Sequence, residues 1–255
     1  MFRIYTRILI TLLLLVFPFQ KAFSQQKITV ALGNTLPPWV MVEDNTGIIP
    51  DLLRATLGVQ GYQIHFVYVP YARRIPLYTE NLVDVVSDIN EKVIETHQMS
   101  GYFSDIAYSY ENFAFSLAKQ NLQLSSITQL KHFSVLSWQG AKELLSPEYQ
   151  AMARENPQYA ETYDQLAQVQ LLYRERYEVI QMDGKIFDYY RALININDEI
   201  DVSKPVQRFA LFGKNPSGFL FRDEVLRDLF NENLRKLKST EEYTRIINRY
   251  TSKSH

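Results

Sequence analysis

Residues 27–33 read KITVALG, and this stretch sets the pattern for the first part of the chain. Its β-branched and apolar residues, closed by Gly33, predict a buried strand. Residues 62–69, YQIHFVYV, alternate in the manner of a second strand, and residues 83–86, VDVV, are a shorter run of the same kind. The sequence therefore predicts three strands in the first part of the chain.

Helical patterns separate these strands. Apolar residues recur at helical spacing directly after Asp51, which is typical of an N-cap or first-turn acid. Gly61 ends this helix, and residues 73–81 predict a second one before the third strand. Alternation of strands with helices predicts a parallel sheet that is covered by helices.

The second half of the chain predicts another α/β unit. Strand character is found at residues 132–137, 169–172, 178–182 and 209–212, and helical character at residues 147–168, 185–193, 222–237 and 241–250. We interpret this unit as an insertion between the first unit and a C-terminal segment that returns to it. Ligands of such sheets bind at the carboxyl ends of strands, and clefts between domains are favoured sites.

The first 24 residues have the order of a secretory signal peptide. Two arginines precede an apolar run over residues 8–19, and the small residues Ala22 and Ser24 predict cleavage before Gln25. The alternative is a membrane anchor, which needs about 20 apolar residues and therefore a longer run. The chain has no cysteine, which excludes disulfides and a lipid attached to cysteine. We therefore predict a soluble protein of the periplasm.

The composition indicates a globular protein with a sizeable core, since 46% of the residues are hydrophobic and 22% are charged. Three of the 27 basic residues and none of the 28 acidic ones lie in the first 24 positions, so the remainder has a net charge of −4. No basic field attracts nucleic acid, and we predict no nucleic-acid partner. The 17 tyrosines also suit a cleft for a polar ligand.

A series of short segments follows a familiar order. The segments are ITVA (28–31), PPW (37–39), GIIPDLL (47–53), PYARR (70–74), NLVDVV (81–86), GYFSD (101–105), EVIQMD (178–183), FRD (221–223) and residues 231–250. In this order they resemble the bacterial extracellular solute-binding proteins of family 3, the polar amino-acid receptors of ABC importers. The resemblance covers nearly all of the chain after Gln25.

This resemblance implies an α/β fold of the two-lobed, type II periplasmic-binding-protein kind, with two crossovers between lobes that close on a solute like a hinged trap. It implies that residues 25–112 and 208–255 form lobe 1 and that residues 113–207 form lobe 2. The implied partners are a small polar solute, amino-acid-like or an amine, and an ABC permease. We expect a monomer without a cofactor or a metal.

The most informative departure from the family lies at residues 95–100, ETHQMS. Family receptors hold the carboxylate of an amino acid with an arginine in this region, because a guanidinium donates two parallel hydrogen bonds. No arginine is present here, and His97 is a poor substitute at neutral pH. Arg73 is the alternative anion contact, although an arginine at this position also suits a surface ion pair.

Asp183 matches the family acid that receives the amino group of the ligand. A carboxylate at a strand end suits an ammonium, but Asp183 also suits the N-cap of a helix that starts at Gly184. Trp39 and Tyr71 are candidates for stacking on the ligand from lobe 1. Each could instead be a core residue, although Trp39 follows two prolines in a predicted loop.

Further candidates follow predicted strands of both lobes. Trp138, Gln139 and Gly140 lie between a strand and a helix, where free backbone N–H groups could bind an anion. The alternative is a plain turn that needs only the glycine. Asp88 and Asn90 follow the strand at residues 83–86, where the family lines its pocket, and either also suits a turn.

Two other functions stay open at this stage. A sensory receptor that docks on a membrane signalling protein has the same sequence features as a transport receptor. A periplasmic enzyme of the dehydratase type shares the fold, but the sequence contains no nucleophile elbow, phosphate loop or zinc-ligand spacing. We therefore expect a binding protein rather than an enzyme.

Overall fold

The computed structural model describes residues 26–34, 36–197 and 200–250, so the predicted signal peptide lies outside the described residues. Ten strands are present among them. They are β1 (Lys27–Gly33), β2 (Gln63–Val69), β3 (Val85–Ile89), β4 (Tyr102–Phe103), β5 (Tyr108–Leu117), β6 (Val135–Trp138), β7 (Tyr159–Thr162), β8 (Val179–Asp183), β9 (Val206–Phe209) and β10 (Lys214–Phe221).

Nine α-helices connect or cover these strands within the described residues. They are α1 (Ile48–Thr56), α2 (Arg74–Thr79), α3 (Glu91–His97), α4 (Ala141–Leu144), α5 (Pro147–Glu155), α6 (Gln165–Tyr173), α7 (Gly184–Asn197), α8 (Glu224–Lys238) and α9 (Glu241–Asn248). Short 3₁₀ turns lie at Gly58–Gln60, Tyr71–Arg73, Ala118–Gln120 and Ile127–His132. No helix in this part of the chain is both long and apolar enough to span a bilayer.

The strands follow one another in the order β2-β1-β3-β10-β5-β8-β6-β7, with β4 on β10 and β9 on β5. The first three strands are mutually parallel, and so are β8, β6 and β7. The antiparallel strands β10 and β5 lie between these two parallel groups. We call the β2-β1-β3-β10 part, with the helices on it, the first half and the β8-β6-β7 part, with β9, the second half.

Strand β5 joins the two halves by changing its partners along its length. Residues 108–111 pair with β10, whereas residues 112–117 pair with β8 and β9. The change falls between Glu111, which lies opposite Lys214, and Asn112, which lies opposite Asp183. The carboxyl end of β8 is therefore held at the point where the chain passes from one half to the other.

The central strands are buried because parallel strands have helices on both faces. Every residue of β3 and β8 is buried, as is most of β1. Asp84 fixes the register of β1 and β3, since its Oδ2 accepts from the backbone and hydroxyl groups of Thr29 at 2.7 and 2.6 Å. Because β1 and β3 are parallel, their carboxyl ends lie at the same edge of the first half, and those of β6 and β8 likewise lie at the same edge of the second half.

Asp51 lies in the first turn of α1, as predicted, and links this helix to the C-terminal segment. Its carboxylate accepts from Arg249 and from the hydroxyl of Tyr250, both at 2.6 Å, and from Arg54 at 3.1 Å. Asp51 is buried, so these bonds are shielded from water. The returning C-terminal segment predicted from the sequence is thus attached to the first half.

The second half departs from the sequence predictions in four places, one of which is residues 209–212: they were predicted as a strand, but β9 ends at Phe209. Residues 169–172 were predicted as a strand but belong to α6, where Val169, Leu172 and Tyr173 bury one helical face. The helical pattern over residues 147–168 is interrupted by β7. The strand predicted at residues 132–137 is shorter, because a 3₁₀ turn occupies its start and β6 begins at Val135.

Candidate functional site

Two tyrosines of β5 face the junction between the halves. Residues two apart on a strand share a face, so the side chains of Tyr108 and Tyr110 lie together, with their ring centroids 5.8 Å apart. Both hydroxyls donate to Oδ1 of Asp88, at 2.8 and 2.6 Å. Burial, and next the Asp88 carboxylate, raise the pKa of each tyrosine well above 10, so the hydroxyls keep the protons they donate.

Asp88 occupies a strained position near the end of β3. Its φ is 56°, in the left-handed region that non-glycine residues rarely adopt, although aspartate and asparagine do so more often than most, and only 6% of it is exposed. Ser87 donates to its Oδ2 at 3.1 Å, and Nη1 of Arg74 lies 3.4 Å from the same oxygen. Strain of this kind persists only where the surroundings determine the conformation, and here four side chains do so.

Arg74 is the cation of this part of the junction. Only 1% of it is exposed, and its Nη1 donates to the carbonyl oxygen of Ser87 while its Nε donates to that of Tyr71 at 3.1 Å. The guanidinium lies 3.7 Å from the centroid of the Tyr71 ring, an arrangement that favours a planar cation. Arg74 and Asp88 therefore form a buried ion pair without net charge.

Asp183 ends β8 on the other side of the junction and has a different set of partners. Its Oδ1 accepts from the backbone N–H groups of Lys185 and Ile186 at 2.9 and 3.2 Å, and its Oδ2 accepts from that of Glu111 at 2.9 Å. It is 5% exposed, and burial raises its pKa although these bonds act in the opposite direction. No cation lies within ion-pair distance of Asp183 among the described residues.

Trp39 connects Asp183 to the first half. Its indole N–H donates to Oδ1 of Asp183 at 3.0 Å, and its ring lies 4.5 Å from that of Tyr110 and 5.5 Å from that of Tyr108. Its position in a predicted loop did not show whether the side chain would be buried, and the structure shows that only 1% of Trp39 is exposed. We call the set Trp39, Arg74, Asp88, Tyr108, Tyr110 and Asp183 the junction cluster.

A second carboxylate occupies the edge of the second half. Glu161 on β7 accepts from the backbone N–H groups of Gly140 and Lys142, both at 2.8 Å. Burial acts against ionisation, but these bonds and one from Tyr159 lower the pKa of Glu161 below its usual value. The expectation of free amides at Gln139 and Gly140 is wrong, because the Gln139 N–H donates to the Thr162 carbonyl at 2.8 Å.

The structure brings together three of the residues selected from the sequence, Trp39, Asp88 and Asp183. Tyr71 adjoins them through Arg74 and is 55% exposed. Asn90 caps α3 and donates to Asn215 at 3.2 Å. The others lie away from these contacts: Arg73 and His97 are exposed, while Trp138, Gln139 and Gly140 lie at the end of β6.

Sequence reasoning missed Arg74, Tyr108 and Tyr110. The sequence gave no basis for preferring Arg74 to Arg73 as the buried arginine. The predicted start of the helix was uncertain by one residue, and this start decides which side chain lies on the buried face. The tyrosines had a usable signal, because Tyr108, Tyr110 and Asn112 alternate on one face of a strand that leads into the second half. No cluster of three or more metal-ligating side chains occurs in the described ranges.

Comparison with known proteins identifies the fold family. The model of the bacterial extracellular solute-binding proteins, family 3, matches residues 28–253. This chain belongs to that family. No curated protein matches the sequence.

Solved structures of other proteins share the two-lobed fold with this family 3 protein. The GluR0 ligand binding core in complex with L-glutamate has a TM-score of 0.67 and 18% identity, covering 90% of this chain and 100% of that one. An ancestral arginine-binding protein bound to arginine has a TM-score of 0.63 and 19% identity, with coverages of 89% and 98%. An ancestral amino acid-binding protein, AncCDT-1, a precursor of cyclohexadienyl dehydratase, has a TM-score of 0.61 and 17% identity, with coverages of 89% and 95%.

Proposed function

We propose that this protein is a periplasmic receptor that captures a small solute bearing an amino group between its two lobes and presents it to an ABC importer. The observation that carries the proposal is Asp183, a buried carboxylate at the junction whose partners are all uncharged N–H groups. Family membership supports the class of function, since the family consists of extracellular solute-binding proteins. We keep the expected lobes at residues 25–112 with 208–255 and at residues 113–207 as part of the proposal. The strand pairing supports a division close to these bounds, although Asn112 pairs with β8 and residues 208–209 pair with the second part of β5.

The charges of the junction favour a cationic solute. Arg74 and Asp88 compensate each other, so the junction cluster has one negative charge whenever Asp183 is ionised. A buried charge without a partner is unfavourable, and an ammonium that reached Asp183 would both neutralise it and donate hydrogen bonds. A positive solute is therefore stabilised where a negative one is repelled.

The groups that would attract a carboxylate are already bonded to carboxylates of the chain. Arg74 is paired with Asp88, and the amides of Gly140 and Lys142 are bonded to Glu161. Together with the missing arginine at residues 95–100, this arrangement argues against a standard amino acid held by its carboxylate. We infer that the solute is an amine whose affinity does not depend on a carboxylate.

A thermal-shift and calorimetric screen of the purified protein tests this function. The panel contains alkyl amines, diamines, cationic and acidic amino acids, and organic acids. An amine bound only by the folded state at a hundredfold excess over its dissociation constant stabilises the protein by about 2.7 kcal/mol. We expect amines to stabilise the protein without a carboxylate, and the Asp183→Asn variant to lose this effect.

The matched control is Asp228→Asn, which removes the same charge from the exposed face of α8. We expect it to bind amines like the unmodified protein. Stabilisation by acidic amino acids or organic acids in place of amines would contradict the proposed solute class. Unchanged amine binding by Asp183→Asn would remove this acid from the site.

A further inference from the structure

Trp39 belongs to the first half by its backbone and to the junction by its side chain. Its backbone N–H donates to the carbonyl oxygen of Leu36 at 2.8 Å. Its backbone carbonyl accepts from the N–H of Ile49, at the start of α1, at 3.0 Å. The indole, in contrast, is buried between the tyrosines of β5 and Asp183 of β8. Trp39 is thus a side chain of the first half that bonds an acid of the second half.

This bond is one of four that Asp183 accepts. Three of them, including the bond from Trp39, lie at Oδ1, so this oxygen has no free lone pair while the indole is bound, whereas Oδ2 accepts one. Two of the donors are backbone groups of α7, which start the helix that Asp183 caps, and the third is the backbone N–H of Glu111 in β5. Trp39 supplies the only donor of the four that comes from a side chain, and a rotation of that side chain would release it.

We propose that the indole of Trp39 takes the place of a solute on Asp183 and holds the two lobes closed when no solute is bound. Its N–H supplies the hydrogen bond to the acid, and its ring fills the space beside Tyr108 and Tyr110. Binding of a solute amine is part of the function proposed above, and such an amine reaches Oδ1 of Asp183 only after this indole leaves. The closing role of Trp39 itself is independent of which solute binds.

Two measurements without a solute test the closing role. The chain has two tryptophans, Trp39 and the half-buried Trp138, so ¹⁵N-labelled protein gives two indole signals, and the Trp138→Phe variant assigns them. A buried N–H that is bonded across the lobes exchanges with solvent only when this bond opens, by rotation of the side chain or by separation of the lobes. We expect the Trp39 indole proton to exchange at least about tenfold more slowly than that of Trp138.

Small-angle X-ray scattering of Trp39→Phe measures the closure. Phenylalanine keeps an aromatic ring but has no N–H, so we expect a larger radius of gyration than in the unmodified protein. Tyr243→Phe is the matched control: it also removes one donor, whose bond to the Ala107 carbonyl at 2.9 Å joins parts of the first half only. We expect this control to have an unchanged radius of gyration.

The opposite results overturn the inference. Equal exchange rates for the two indoles would show that Trp39 is not bonded across the junction. An unchanged radius of gyration in Trp39→Phe would show that the bond does not hold the lobes together. The exchange measurement uses the unmodified protein, so it tests the bond on which the inference depends even if Trp39→Phe does not fold. Neither result depends on the amine screen, so the two proposals fail separately.

Discussion

Asp88 in the first half and Asp183 in the second are the two buried carboxylates of the junction, and they are held in different ways. Each lies at the carboxyl end of a buried strand that has a parallel neighbour. Asp88 is paired with Arg74 and bonded by tyrosine hydroxyls, whereas Asp183 has only N–H donors and no cation within ion-pair distance among the described residues. Equivalent positions in the two halves thus carry the same side chain in different surroundings.

This contrast indicates a structural role for Asp88, and it is the basis of the proposed binding role of Asp183. Removing a partner from Asp88 leaves a buried charge, which is costly for folding. Asp183 has no cation to remove, and under the proposed function a cationic solute would supply one.

Arg74→Met should lower the free energy of unfolding by about 3–5 kcal/mol, because it leaves Asp88 buried without its cation. Urea denaturation measures this change. The matched control is Arg73→Met in the preceding residue, which is exposed and should change stability by no more than about 0.5 kcal/mol. Equal effects of the two substitutions would show that the Arg74–Asp88 pair is not the group that stabilises the first half.

Tyr110→Phe should lower the free energy of unfolding by about 1.5 kcal/mol, because a hydrogen bond to an ionised group is lost while the ring stays against Trp39. The same denaturation measurement applies. Tyr163→Phe is the control, since Tyr163 is 87% exposed and its hydroxyl should contribute little. If both variants were as stable as the unmodified protein, Asp88 would not depend on its tyrosine donors.

The smallest effect concerns the pH dependence that Asp183 contributes. Burial raises its pKa in the folded state above that of the unfolded chain, which is about 3.9. As the pH rises above about 4, the unfolded chain therefore loses this proton first, and the folded protein binds more protons. The contribution of Asp183 to stability consequently falls with rising pH until the pH exceeds the folded-state pKa.

Comparison with Asp183→Asn isolates this effect, since asparagine does not titrate. We expect the stability of the unmodified protein relative to the variant to decrease as the pH rises from about 4, as measured by denaturation at a series of pH values. A relative stability that increased over this range would mean that the hydrogen bonds of Asp183 outweigh its burial. The ionised form of Asp183 would then be stable in the folded protein without a cation, which would contradict the proposal that this acid binds an ammonium.

Much of the fold follows from local sequence patterns. The first three strands and the two C-terminal helices were predicted close to their observed positions, because their apolar periodicity is regular. Residues 169–172 were assigned wrongly because a short apolar run fits a buried strand and a buried helix equally well. The residues before this run distinguish the two, since the side chain of Asp164 caps a helix that begins at Gln165.

The candidate site was predicted only in part. Asp183 and Asp88 could be found because both follow strands, and Trp39 because an aromatic residue after two prolines is conspicuous. The sequence could not show which of Arg73 and Arg74 is the buried arginine, because a shift of one residue along a helix moves a side chain from the exposed face to the buried one. Glu161 was missed because its partners, Gly140 and Lys142, are about twenty residues distant in sequence, and parallel pairing of β6 with β7 brings them near.

The order of the elements, the family and the lack of an arginine at residues 95–100 can be read from the amino-acid sequence, because they depend on local composition and spacing. The bond from Trp39 to Asp183, 144 positions away, and the pairing of Arg74 with Asp88 are visible only in the folded molecule. Burial and charge compensation depend on which side chains surround a residue. Strand β5 creates those surroundings by passing from one sheet to the other, and no local pattern encodes which side chains then meet.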